Sequence, residues 1–129
     1  MKAMIVDDSR AMRSLLRKIL QENGFEVVAE AANGQEGLDK LNALEWCDLT
    51  LLDWNMPVMN GYELLCEVRK QARWKDMRVM LVTTETEASQ ILRALDAGAD
   101  EYLIKPFVKE AVREKLNVMG LLEVGGADV

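Results

Sequence analysis

The sequence predicts an α/β fold in which a five-stranded parallel sheet is flanked by five helices. Short apolar runs of strand length alternate five times with stretches of helical periodicity, and this alternation is typical of parallel sheets covered by helices. The runs are almost unbroken in hydrophobicity, as in strands that are buried on both faces. A length of 129 residues suits one domain with a proper core.

The predicted strands are short, and each is followed by a predicted helix. In chain order the strands cover residues 4–6, 27–29, 49–52, 79–82 and 102–104. The helices are predicted over residues 9–23, 33–44, about 60–72, 86 or 87 to 98, and 107–119. Ser9 is suited to cap the first helix, and Gly24 to end it. The fourth helix carries Leu92 and Leu95 in its apolar pattern.

Composition excludes several classes of protein. The chain has no histidine, so a histidine-activated nucleophile and a zinc site built on imidazole are both ruled out. A net charge of −6 argues against binding to nucleic acid. No apolar run approaches the roughly 18 residues of a membrane span, so we expect a cytoplasmic protein with reduced cysteines. Residues 1–119 are predicted to form the domain, and residues 120–129 a flexible tail.

Charged and hydroxyl side chains follow four of the predicted strands. Asp7 and Asp8 follow the first strand, Asp53 the third, Thr83 the fourth and Lys105 the fifth. Because the carboxyl ends of parallel strands share one edge of the sheet, we expect these side chains to converge there. Each residue alone has an ordinary explanation as a cap, a turn residue or a surface charge, but their joint occurrence does not.

Three converging carboxylates require a cation. Two carboxylates about 5 Å apart repel each other by roughly 3 kcal/mol at an effective dielectric of about 20, and Lys105 supplies one positive charge. Oxygen ligands with room for water suit Mg²⁺, which also binds phosphoryl oxygens. An Asp beside such an ion can attack phosphorus and form an acyl phosphate. The constellation therefore predicts a magnesium site that handles a phosphoryl group.

Four motifs, in order along the chain, carry a resemblance to a known family. They are Ile5-Val6-Asp7-Asp8-Ser9, Asp53-Trp54-Asn55-Met56-Pro57-Val58-Met59-Asn60-Gly61, Val82-Thr83-Thr84 and Ala97-Gly98-Ala99-Asp100-Glu101-Tyr102-Leu103-Ile104-Lys105-Pro106-Phe107. Together they resemble the receiver domain of two-component response regulators over residues 2 to 118, and most closely its single-domain chemotaxis members. The resemblance implies a flavodoxin-like, doubly wound sheet with the strand order 2-1-3-4-5.

The resemblance also implies a role for each residue of the predicted site. Asp53 would accept a phosphoryl group from a phosphohistidine on a partner. Asp8 and Asp53 would ligate Mg²⁺ directly, Asp7 would do so through water, and Asn55 would contribute its main-chain carbonyl. Lys105 would pair with the phosphoryl group.

Further residues would act on the switch or on the lifetime of the phosphoryl group. The Thr83 hydroxyl would hydrogen-bond the phosphoryl group, and Tyr102 would swing inward and reshape the face made by helix four, strand five and helix five. The side chains of Asn55 and Glu85 would influence hydrolysis, although ordinary loop polarity also explains them. In this family the peptide before Pro106 would be cis.

Two features near the motifs keep more than one interpretation. Trp54 directly follows Asp53, so its fluorescence would report on metal and phosphate, but a purely structural role is an equal alternative. Basic residues cluster at the end of the third helix, where they suit the helix C-terminus or, alternatively, the docking of an acidic partner. These residues are Arg69, Lys70, Arg73 and Lys75.

The implied partners are proteins. A histidine kinase or a histidine-phosphotransfer protein would donate the phosphoryl group. The downstream target would be a flagellar motor switch protein, a phosphotransfer protein or a domain of another regulator. The face between the fourth and fifth helices mixes basic and acidic side chains, which favours a protein partner.

Two other function classes remain as alternatives. A Mg²⁺-dependent phosphohydrolase of the haloacid-dehalogenase type would place its aspartyl nucleophile in an Asp-x-Asp motif after the first strand, whereas Asp7 and Asp8 are adjacent here. A flavodoxin-like module for FMN would need a first loop rich in Thr, Ser and Gly to bind phosphate. The acidic first loop of this chain would instead repel phosphate.

Overall fold

The computed structural model describes residues 1–84 and 88–122. Five parallel strands form one sheet in the order β2-β1-β3-β4-β5, which confirms the predicted fold class and strand order. The strands are β1 (Lys2–Val6), β2 (Glu26–Ala31), β3 (Leu49–Leu52), β4 (Arg78–Thr83) and β5 (Glu101–Ile104). The helices are α1 (Arg10–Glu22), α2 (Gly34–Ala43), α3 (Gly61–Arg69), α4 (Ala88–Asp96) and α5 (Lys109–Val118).

The sheet separates two hydrophobic cores, because successive side chains of a strand point to opposite faces. In β1, Met4 and Val6 belong to the core that contains side chains from α2, α3 and α4. Ile5 belongs to the core on the other face, with α1 and α5. The strand pattern in the sequence is almost unbroken because helices cover both faces.

Polar caps fix where three of the helices begin. The side chains of Ser9, Asn33 and Asn60 each accept a hydrogen bond from the backbone N–H three residues later, which satisfies a donor that has no partner within the helix. Asn60 also forms a capping box with Glu63, whose carboxylate accepts a hydrogen bond from the Asn60 backbone. Helix α3 therefore begins at a defined point, eight residues after Asp53.

Three details differ from the sequence-based expectations. Helix α3 ends at Arg69 rather than near residue 72, and a 3-10 helix follows at Ala72–Trp74. The edge strand β2 is mostly half-buried rather than covered on both faces. In α4, Leu92 and Leu95 are 64% and 39% exposed, so part of the apolar pattern that predicted the helix lies on the surface.

The end of the chain and the predicted start of α4 are only partly described. Leu121 and Leu122 pack against the core formed with α1 and α5, while residues 123–129, which are most of the predicted tail, lie outside the described residues. The predicted helix start at residue 86 or 87 also lies outside them. Across residues 1–84 and 88–122, none of the helices has the length and hydropathy that a bilayer span requires.

Candidate functional site

Four strands deliver the predicted site residues to one edge of the sheet. Val6 of β1 is in register with Leu52 of β3, so Asp7 and Asp53 follow at the same level. The Asp53 N–H donates a hydrogen bond to the Val6 carbonyl at 2.9 Å. On the other side, the Lys105 N–H donates to the Thr83 carbonyl at 2.9 Å. The parallel register therefore assembles the site from residues that are distant in sequence.

The three carboxylates form a compact group, which we call the carboxylate cluster: Asp7, Asp8 and Asp53. One oxygen from each lies within 4.8 Å of the other two. The Lys105 ammonium lies 2.9 Å from Asp7 Oδ2 and 3.6 Å from Asp53 Oδ2. Asp7 and Asp53 are buried, at 1% and 7% exposure, whereas Asp8 is exposed. Three carboxylates therefore lie together at the edge of a buried sheet, and the Lys105 ammonium contacts two of them.

The carboxylate of Asp7 is held at both oxygens. Its Oδ1 accepts a hydrogen bond from the Ser9 N–H at 2.8 Å, and its Oδ2 accepts one from Lys105. These bonds also fix the start of α1, which Ser9 caps. Asp7 is thus bound in place by the protein itself, which suits a residue that reaches a metal through water rather than directly.

The electrostatics of Asp53 show the cost of this arrangement. Burial raises the pKa of Asp53 above its usual value, the Lys105 ammonium opposes the shift, and the charge of Asp7 adds to it. A carboxylate with a raised pKa is destabilised in its charged form. A cation beside Asp53 would therefore be favoured. The donors are all oxygen atoms, which suit a hard ion such as Mg²⁺.

At two glycines, the loop between β3 and α3 packs closely against other backbone atoms. A Cβ at Gly61 would lie 2.0 Å from the Asp53 carbonyl oxygen, and a Cβ at Gly34 would lie 2.4 Å from the Met59 carbonyl oxygen. The Gly61 N–H donates to the Trp54 carbonyl at 2.9 Å, which closes the loop. In the sequence, Gly61 stands out only as the last residue of a motif. The close backbone approach is a tertiary contact that a single sequence does not reveal.

A tilted aromatic pair connects the residue after Asp53 with α4. Trp54 is 7% exposed, and its ring lies 5.4 Å from the Tyr62 ring between centroids. The Arg93 guanidinium of α4 lies 4.5 Å from the centroid of Tyr62, in the range of cation–π contacts. The burial of Trp54 agrees with both interpretations made from the sequence, since a packed ring beside the site can also report on it.

The remaining predicted residues are placed as follows. Thr83 is buried at the end of β4, at 1% exposure. Tyr102 is half-buried, with the Lys115 ammonium 4.6 Å from its ring centroid. Asn55 is exposed in the loop after Asp53, and Glu85 lies outside the described residues. The peptide between residue 105 and Pro106 is cis, as expected.

Comparison with known proteins decides the family. Residues 3–117 match the family model described as "Response regulator receiver domain". The chain belongs to this family. It is 40% identical over 119 residues to chemotaxis protein CheY1 of Helicobacter pylori, covering 92% of this chain and 96% of the relative. It is also 40% identical to the CheY homolog of Campylobacter jejuni over 121 residues, covering 93% of each.

Solved structures support the same assignment. Chemotaxis protein CheY4 of Vibrio cholerae matches with a TM-score of 0.83 and 36% identity, over 92% of this chain and 97% of that one. A CheX-CheY-BeF3-Mg complex from Borrelia burgdorferi matches with a TM-score of 0.84 and 28% identity, over 91% and 87%. The receiver domain is therefore a signalling protein of the chemotaxis CheY type, and these relatives do not favour the phosphohydrolase or the FMN module.

Proposed function

We propose that Asp53 is the phosphoacceptor of this receiver domain and that the carboxylate cluster binds the Mg²⁺ that supports phosphoryl transfer. The convergence of three carboxylates, two of them beside the Lys105 ammonium, is the observation that carries the proposal. Asp53 lies at the centre of the edge, directly after β3, the strand between β1 and β4. Its proximity to Lys105 leaves a positive charge where the oxygens of a transferred phosphoryl group would need one.

The transfer itself exchanges one bond for another. An oxygen of the Asp53 carboxylate attacks the phosphorus of a phosphohistidine on the partner, and the phosphorus–nitrogen bond breaks. Its electron pair stays with the imidazole of the donor, while a phosphorus–oxygen bond forms on Asp53. Lys105 neutralises charge on the phosphoryl oxygens, and the Thr83 hydroxyl donates a hydrogen bond to one of them. This chain needs no histidine for the step, because its partner supplies the imidazole.

The metal would be held by Asp8 and Asp53 directly, by Asp7 through water and by the main-chain carbonyl of Asn55. When bound, Mg²⁺ offsets the surplus of carboxylates and stabilises charge on the phosphoryl oxygens. The firm attachment of Asp7 to Ser9 and Lys105 supports its assignment to the water-mediated position. Asn55 and Glu85 are proposed to tune how fast water removes the phosphoryl group.

The output is proposed to be a change of partner. Thr83 moves toward the phosphoryl group, Tyr102 moves inward, and the face of α4, β5 and α5 changes shape. The donor is a histidine kinase or a histidine-phosphotransfer protein, and the target is a protein such as the flagellar motor switch. The Borrelia relative was solved with CheX, beryllofluoride and magnesium, which supports beryllofluoride as an activating reagent here. The site of action is the cytoplasm.

Phosphorylation by a small donor tests the proposal directly. The protein is incubated with acetyl phosphate and Mg²⁺, and intact-mass spectrometry measures the added phosphoryl group. The wild type is expected to gain one group, and Asp53→Asn none. Asp39→Asn is the matched control, because Asp39 is an exposed carboxylate of α2. Equal labelling of the wild type and Asp53→Asn would refute the assignment of the phosphoacceptor.

A further inference from the structure

The side chain of Arg13 links the carboxylate cluster to strand β2. Its Nη1 donates a hydrogen bond to the main-chain carbonyl of Asp7 at 2.6 Å, and its Nε lies 3.7 Å from Glu30 Oε1. Its side chain is 18% exposed, so this contact is largely shielded from water. One guanidinium therefore joins the end of β1 to β2, since its planar fork can engage two acceptors at once.

The carbonyl that Arg13 engages belongs to the peptide between Asp7 and Asp8. The orientation of that peptide sets the direction of both side chains. Asp7 is separately held through its carboxylate by Ser9 and Lys105. Asp8 is exposed, so its direction toward Asp53 depends strongly on the backbone before it. Arg13 therefore holds the peptide that sets the direction of Asp8, the least buried residue of the carboxylate cluster.

Arg17 provides an internal comparison on the same helix. Its Nη1 lies 2.5 Å from Glu30 Oε2, so Arg13 and Arg17 share one carboxylate partner. Arg17 is one turn further along α1, and its side chain is 42% exposed. The two arginines thus have the same charge and a common partner, while the hydrogen bond to Asp7 is a contact of Arg13.

We propose that Arg13 is a positioning residue of the metal and phosphoacceptor site, which it serves by fixing the peptide between Asp7 and Asp8. The inference rests on the proposed Mg²⁺ site. Charge alone predicts the opposite effect, because a guanidinium near the cluster repels a divalent cation. Removing Arg13 should therefore strengthen Mg²⁺ binding if only its charge matters, and weaken it if its hydrogen bond positions the ligands. The sign of the change separates the two explanations.

A fluorescence titration measures that sign. Tryptophan emission is followed as MgCl₂ is added to the wild type, Arg13→Met and Arg17→Met, and Trp54→Phe shows which part of the response belongs to Trp54 rather than to Trp46 or Trp74. We expect Arg13→Met to bind Mg²⁺ about tenfold more weakly, the usual order of loss when a group that orients a metal ligand is removed. Arg17→Met is expected to bind with wild-type or slightly higher affinity. An Arg13→Met protein that binds Mg²⁺ as tightly as the wild type, or more tightly, would overturn the inference.

A second measurement needs no metal. In the metal-free proteins, amide NMR resonances of Asp8 and Ser9 are expected to shift in Arg13→Met and to stay near their wild-type positions in Arg17→Met. Unchanged Asp8 and Ser9 resonances in Arg13→Met would overturn the inference.

If tryptophan emission of the wild type does not respond to Mg²⁺, Trp54 has the purely structural role, and Mg²⁺ binding is titrated through the Asp8 and Ser9 amide resonances instead. If those resonances do not respond either, the proposed metal site fails, while the metal-free NMR comparison still decides the role of Arg13.

If Arg13→Met does not fold, Arg13→Lys is used instead. Lysine keeps the charge but not the guanidinium fork, so charge alone predicts unchanged Mg²⁺ affinity, whereas loss of the hydrogen bond to Asp7 predicts weaker binding and shifted Asp8 and Ser9 resonances. Unchanged affinity and resonances in Arg13→Lys would overturn the inference.

Discussion

Two charged clusters lie at opposite edges of the same sheet, and they are balanced very differently. At the carboxyl ends of the strands, three carboxylates lie together, and two of them contact the ammonium of Lys105. At the amino ends of β4 and β5, Arg69 binds the Gly98 carbonyl, the Trp74 carbonyl and the Asp100 carboxylate at 2.9, 2.7 and 3.1 Å. We call this second group the Arg69 cluster.

The Arg69 cluster pairs one cation with one anion, and each of the three guanidinium nitrogens of Arg69 donates a hydrogen bond. Asp100 also accepts a hydrogen bond from the Val79 N–H at 2.8 Å, so its carboxylate ties β4 to the residue before β5. Such a cluster stabilises the fold without any further component. The carboxylate cluster has more negative than positive charges, and the repulsion between its carboxylates lowers the stability of the fold. Charge balance therefore distinguishes the Arg69 cluster, which is complete by itself, from the carboxylate cluster, beside which a cation would be favoured.

The largest expected effect comes from crowding the backbone at the carboxylate edge. In Gly61→Ala the new Cβ would lie 2.0 Å from the Asp53 carbonyl oxygen, so the backbone must move. We expect a loss of about 3 kcal/mol or more in the free energy of unfolding, measured by urea denaturation. Any fluorescence response of Trp54 to Mg²⁺ should be lost as well, because the Asp53 side chain moves together with the displaced Asp53 carbonyl.

Gly37→Ala is the matched control for this change. Its Cβ would meet side-chain atoms of Val6 and Leu64 at 3.1 and 3.2 Å, and side chains can adjust. We expect a change within about 1 kcal/mol. If Gly61→Ala were as stable as Gly37→Ala and kept the Mg²⁺ response, the close packing of the loop would not be what holds Asp53.

An intermediate loss of stability is expected when the Arg69 cluster is broken. Arg69→Met removes three hydrogen bonds and leaves Asp100 without its cation, so we expect a loss of about 2 kcal/mol in the free energy of unfolding. Labelling of Asp53 by acetyl phosphate should remain, because the cluster lies at the other edge. Lys70→Met is the control, since that side chain is 69% exposed and its ion pair contributes little. A labelling defect in folded Arg69→Met would contradict the separation of the two clusters.

The smallest effect is expected at the carboxylate cluster, where the substitution Asp53→Asn should increase stability. The pKa of Asp53 is raised mainly by burial, so the folded state holds the proton of Asp53 more tightly than the unfolded state does. Without metal, stability therefore falls as the pH rises from the ordinary aspartate pKa of about 3.9 through the raised value, and the loss is complete above it. Asp53→Asn removes this contribution and should be about 1 kcal/mol more stable than the wild type at neutral pH.

Urea denaturation in EDTA across this pH range measures the difference between the two proteins. The difference should vanish toward acidic pH and reach its full size above the folded pKa of Asp53. Asp39→Asn serves as a control for the loss of one negative charge at an exposed position. Parallel pH profiles for the wild type and Asp53→Asn would show that Asp53 is not destabilised by its surroundings.

The grouping of residues at the carboxylate edge could be predicted from the sequence more completely than contacts elsewhere in the molecule. Asp7, Asp53 and Lys105 could be placed together because parallel strands end at the same edge, which follows from hydrophobic pattern alone. Ser9 was predicted as a cap because capping depends on residues close in sequence. The strand order came from the resemblance to a family, since no local pattern specifies which strands are neighbours.

The parts that the sequence did not predict depend on contacts between distant segments. Arg69 looked like an ordinary basic residue at a helix end, and its three acceptors come from the 3-10 helix and the loop before β5. Gly61 stood out in the sequence only as part of a motif, yet its Cα packs closely against the Asp53 carbonyl. Leu92 fitted the apolar pattern of α4 but is 64% exposed, because the pattern cannot say how much of a helix face the sheet covers.

If the emission of Trp54 responds to the ion, the contacts of Tyr62 with Trp54 and Arg93 would make that tryptophan a reporter of two events. Arg93 belongs to α4, which is part of the face proposed to meet the target protein. A target that shifts α4 would change the surroundings of Tyr62, and through its ring contact those of Trp54, without touching Asp53. Because coupling between two binding sites is reciprocal, the emission of Trp54 would then register the target as well as the ion.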